Sequence, residues 1–111
     1  MRLPNGDLAQ LGDKLDRYVL NLEHPKGKDK AVLFKNRLGI TLRNKEILEN
    51  ALLEAAMSSD AVVYKQDQYG TQYDIKFLLT TEVGRSLILS CWIIRANEDF
   101  PRLTNAYPVQ K

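Results

Sequence analysis

The chain has little of what most metal, redox and secreted scaffolds are built from. It carries a single cysteine, Cys91, and a single histidine, His24. An internal disulfide and a cysteine–histidine metal cluster are therefore both excluded. No apolar run approaches the roughly 18 residues that a membrane-spanning helix needs. The longest, Leu87 to Ile94, is interrupted by Ser90 and has the length of a strand. The amino terminus lacks the basic segment and apolar core of a secretory signal. The reading is a chain outside the membrane in a reducing cytoplasm. Gly27 belongs to neither common phosphate-cradling glycine pattern, and neither Ser86 nor Ser90 is framed by glycines as a nucleophile elbow requires. No cofactor is expected. Repeats and low-complexity tracts are absent.

What is present is the material of one ordinary globular domain. The 111 residues are 44% hydrophobic and 27% charged, enough to bury a core without a staple. The formal charge of +2 is unevenly spread. Between Lys26 and Lys45 seven cations face one anion, Asp29, a net of +6 that leaves −4 for the remainder. Such a segment suits an anionic partner such as RNA, and it suits equally a plain solvated helix face.

Periodicity divides the chain into a loosely ordered start (1–12), a helical part (13–59) and a sheet (61–109). Leu15, Tyr18, Val19 and Leu22 predict a helix from about Asp13 to Asn21. Pro25 and Gly27 then impose a loop. A second helix over Lys30–Leu38 turns Ala31, Phe34 and Leu38 inward and is closed by Gly39. A third opens at Asn44 as N-cap and buries Ile47, Leu48, Ala51, Leu52 and Ala55, up to Ser58-Ser59-Asp60. From Ala61 the period becomes two. Strands are expected over Ala61–Gln66, Thr71–Leu79, Arg85–Arg95 and Leu103–Val109, with Pro101 and Pro108 near the ends of the last. Short turns favour an antiparallel meander, so the fold class is α+β, three helices on one face of a four-stranded antiparallel sheet. Tyr73, Ile75, Phe77 and Leu79 are assigned to the inner face with Leu87, Leu89, Cys91 and Ile93. That assignment makes Cys91 an inert buried thiol. It leaves Ile88, Trp92 and Ile94 as an apolar outer strip, covered by the chain's own amino-terminal segment or a loop, or open to a partner, a ligand or a second copy of the chain.

His24 is the only histidine, the residue type best suited to proton abstraction near neutral pH, and it lies in a loop rich in lysine. A lone loop histidine that is merely solvated or capping a helix fits the same residues. Trp92, if outward, offers a surface on which a base stacks, or a structural anchor.

Several blocks together carry a resemblance: Glu23-His24-Pro25-x-Gly27-x-x-Lys30-Ala31, Trp92-Ile93, Phe100-Pro101-Arg102-Leu103 and Ala106-Tyr107-Pro108. From Leu15 to Val109 the chain resembles the small bacterial domain-of-unknown-function family DUF6883. That family is in turn similar in layout to compact ribonuclease toxins of the barnase, EndoU, colicin and RelE type, which place helices before a four-stranded sheet; here the closing Thr104-Asn105-Ala106-Tyr107 corresponds. The resemblance implies metal-independent RNA cleavage with His24, Arg102, Thr104 and Tyr107 as catalytic residues. Lys26, Lys28, Lys30, Arg95 and Trp92 would bind substrate. Enzymes of this kind frequently use two histidines, and this chain has one. Two other functions fit the same resemblance: a small protein partner in a two-protein system of the toxin–antitoxin kind, and nucleic-acid binding without cleavage.

Overall fold

Apolar residues three and four apart wind the first half of the chain into helices that end where the backbone must leave the helical basin. The computed structural model describes residues 1–109. Helix α1 spans Lys28–Leu38 and buries Ala31, Phe34 and Leu38. It stops because Gly39 takes a left-handed φ of 67°, donating its N–H to Lys35, a conformation that costs glycine least. Helix α2 spans Glu46–Ser58 and buries Leu48, Leu52, Ala55 and Ala56. Asn44 does not cap it. Its amide oxygen accepts the N–H of Thr41 and its amide nitrogen donates to the Gly39 carbonyl, so it closes the turn between the helices. The helix expected from Asp13 to Asn21 is shorter and wider, a single π-helical stretch over Leu15–Val19. The longer turn lets Leu15, Val19 and Leu20 all reach the core.

The second half is a meander. Strands β1 (Val62–Asp67), β2 (Gly70–Thr80), β3 (Arg85–Arg95) and β4 (Arg102–Val109) lie in sequence order, every neighbouring pair antiparallel. The α+β class and the four-stranded sheet built by the carboxy-terminal half are as the periodicity indicates.

The facing of β3 is the reverse of expectation. The four-residue loop after Thr80 pairs Thr80 with Arg85, and that register sets Tyr73 opposite Trp92, Ile75 opposite Ser90 and Phe77 opposite Ile88. Residues directly opposite share a face, so Ile88 and Trp92, not Leu89 and Cys91, join Tyr73 and Ile75 beneath the helices. Ile88 and Trp92 are fully buried, which removes the proposed outer strip of Ile88, Trp92 and Ile94, and with it both the homodimer contact and the stacking role of Trp92. The misleading feature was serine. Ser90 lies at the core with no exposure because its hydroxyl donates to the Ile75 carbonyl and accepts from the Trp92 indole. A buried polar group so satisfied costs little.

Residues 1–12, expected as a loose start, make defined contacts instead. Leu3 is buried in the core, Ala61 donates to the Met1 carbonyl, and Gln10 bridges to Arg102 beside β4.

Candidate functional site

The loop that precedes α1 is folded by its histidine. His24 Nδ1 accepts the backbone N–H groups of Lys26 and Gly27, each at 3.0 Å. Two donors on Nδ1 place the ring proton of the neutral form on Nε2, so the nitrogen left free is a donor rather than a base. Tyr18 stands edge-on to the imidazole, ring centres 4.7 Å apart. A Cβ on Gly27 would come within 2.9 Å of the Tyr18 carbonyl and 3.2 Å of its ring, which explains the glycine there by close approach.

This loop aims the first turn of α1 over β4. The Lys30 ammonium sits 3.9 Å from the centre of the Tyr107 ring, joining two sequence blocks from opposite ends of the chain. Tyr107 pairs with Leu89, and in the neighbouring row Asn105, Cys91 and Asp74 lie abreast. These strand residues belong to the outer face, and Lys30 reaches over the Tyr107 ring from α1. The phenol of Tyr107 is held above its ordinary pKa by burial first, then by Cys91, Asp74, Tyr64 and Tyr18 around it. Cys91, expected inside, is half-buried on this face, and its thiol is pushed up to about 11 by burial and by the Asp74 carboxylate beside it. The thiol is protonated and inert as a nucleophile at neutral pH.

Arg95, Arg102 and Thr104 gather elsewhere. They line a cleft of about 230 Å³ closed on its other side by residues 10–14. Arg102 is held by a two-point ion pair to Glu98, both bonds 2.8 Å, and stacks on Phe100 at 4.8 Å. That pairing lowers the Glu98 carboxyl and raises the Arg102 guanidinium from their ordinary values. Thr104 is the extra residue of a β-bulge and donates to the Cys91 carbonyl at 3.1 Å. Arg102 and Tyr107 are five steps apart along β4, roughly 15 Å at the rise of a β-strand. Eight of the nine residues singled out from the sequence thus fall into two clusters, and Trp92 belongs to neither. Lys26 and Lys28 are exposed beside the first cluster and, among the described residues, have no carboxylate partner.

A family model described as "Domain of unknown function (DUF6883)" matches residues 2–110. The chain belongs to that family. No curated protein and no solved structure matches it. Among the described residues, no three His, Cys, Asp or Glu side chains gather as metal ligands, and no helix is long and apolar enough to cross a membrane.

Sequence reasoning missed Asp74, Tyr18, Tyr64 and Tyr69. Counting strand pairs outward from the Thr81–Gly84 turn would have set Asp74 beside Cys91 and given both to the open face. The tyrosines at 64 and 69 are about two-thirds exposed, a hint that only burial reveals.

Proposed function

We propose that the outer face at Lys30 and Tyr107 cleaves RNA without a metal. The supporting observation is the contact between Lys30 and Tyr107, which sets a cation and a protonated phenol side by side next to Lys26 and Lys28, neither in a salt bridge among the described residues. In the reaction the 2′-hydroxyl attacks the adjacent phosphorus, forming the 2′-O–P bond, and the P–O bond to the 5′-oxygen breaks. Asp74, the carboxylate of the cluster, takes the 2′-proton; Tyr107, whose raised pKa keeps it protonated, gives one to the departing oxygen. Lys30 offsets the extra negative charge of the phosphorane. His24 folds the loop and offers Nε2–H to a phosphate oxygen, a change from the proton carrier that the resemblance implied. The test is incubation of the purified chain with single-stranded RNAs in the presence of a chelator. Cleavage to 2′,3′-cyclic phosphate ends is expected, and Tyr107→Phe should slow it by about 10²–10⁴-fold. Absence of products from every RNA sinks the reading.

A second reading, a protein-interaction module, draws on β1. All six of its residues are exposed, Val62 and Tyr64 by about two-thirds, and its outer edge pairs with no strand among the described residues. An edge with unpaired N–H and C=O groups accepts a partner's extended segment. Lys65 and the bulge after Val63 guard against indiscriminate pairing.

A further inference from the structure

The two clusters sit on one surface, and Arg95 links the far one to an aromatic ring. Along β3 the outward positions run Leu87, Leu89, Cys91, Ile93 and Arg95, alternating with the buried Ile88, Ser90 and Trp92. The outer face therefore continues without a step from Tyr107 to Arg95. At its end Arg95 stands between two hollows. One is the 230 Å³ cleft shared with Lys14 and Thr104; the other, of about 340 Å³, is lined by Tyr69, Ile93 and Asn97. Arg95 and Lys14 are exposed and form no salt bridge among the described residues, and Arg95 acts on the Glu98 carboxyl only at longer range, with Arg102 holding that carboxylate directly. Tyr69 is 69% exposed at the tip of the β1–β2 hairpin, with its carbonyl accepting from Ala96.

We infer that this end of the sheet is a second nucleotide subsite, in which Arg95 and Lys14 hold a phosphate and Tyr69 stacks a base. The inference rests on the proposed cleavage site for the position of the strand's other end. Tyr107 lies opposite Leu89, six residues from Arg95 along β3, a span of roughly 20 Å at the rise of a β-strand, which is too long for one phosphodiester and fits a strand of about three further nucleotides laid along the face. A single strand with unstacked bases is required, because aromatic stacking and phosphate contacts of this kind need a base free of its pair. Arg102 serves as the wall of the cleft, since Glu98 already claims its guanidinium. The substrate class is accordingly single-stranded RNA of several nucleotides, and dinucleotides are poor substrates.

Binding is separable from cleavage with a probe that has no 2′-hydroxyl. Fluorescent single-stranded oligothymidylate should bind the full chain, with Arg95→Ala and Tyr69→Ala each weakening it about 5–10-fold. Arg95→Ala should also reduce the slope of affinity against salt by about one. If oligothymidylate binds with this pattern while no RNA is cut, the subsite stands and the cleavage reading alone falls. If oligothymidylate fails to bind, or binds equally well to both variants, the subsite is overturned. Dinucleotides cut as fast as longer RNAs, with Arg95→Ala without effect, would overturn it while leaving the cleavage reading intact.

Discussion

On the inner face of the β2–β3 hairpin, Tyr73, Ile75, Ile88 and Trp92 are sealed under α1 and α2, while on the outer face Leu78, Leu87, Leu89 and Cys91 remain partly open. Hydrophobicity hardly separates the two sets; the inner one even contains Ser86 and Ser90, both buried. The difference is made by partners. Inward side chains meet the apolar stripes of the helices, and the inward serine is fully hydrogen-bonded. Outward side chains meet one another, Lys30 at one end and the walls of open clefts at the other. A strand apolar on both sides thus has one face sealed for stability and one left partly open.

The sharpest challenge to this division is to truncate one side chain on each face. Trp92→Ala should cost about 3–5 kcal/mol in denaturant unfolding, through lost burial and an unfilled cavity. A loss below about 1 kcal/mol would mean that Trp92 does not anchor the core.

The thiol of Cys91 reports on the outer face. With its pKa near 11 instead of 9.0, its reaction with a disulfide reagent at pH 8 should be about a hundredfold slower than that of a free cysteine, rising with pH until about 11. The folded thiol holds its proton more tightly than the unfolded one, as the Tyr107 phenol does. Their contribution to stability is therefore complete below about pH 9 and is lost as the pH climbs through the folded values. A fast-reacting thiol at neutral pH would contradict the arrangement of Cys91 against Asp74.

Ser90→Ala should cost about 1–3 kcal/mol, because the Trp92 indole N–H is left buried without an acceptor. Unfolding monitored by tryptophan fluorescence measures this, and a neutral or stabilising result would show the serine to be incidental. The smallest effect is expected at Leu78→Lys on the outer face, within about 0.5 kcal/mol of the parent. A loss comparable to that at Trp92 would erase the distinction between the faces.

Much of the fold was legible beforehand. β3 begins at Arg85 and ends at Arg95 as its period indicates, Gly39 closes α1, and the meander follows from the short turns. The facing of β3 was not legible from composition, because both of its sides are apolar. It was legible from the turn: fixing Thr80 opposite Arg85 determines every pair below it, including Tyr73 with Trp92. At the candidate site, the blocks around His24 and Tyr107 were visible as motifs. Their meeting through Lys30, and the placing of Arg102 in a separate cleft, were not.

The sequence by itself determined the elements, their order and the boundaries set by glycine and proline, since these depend on interactions within a few residues along the chain. Only the tertiary structure decided which side of an oily strand is buried and which charged groups meet. Those outcomes depend on how the helix stripes seat on the sheet, and neighbouring residues along the chain do not carry that information locally.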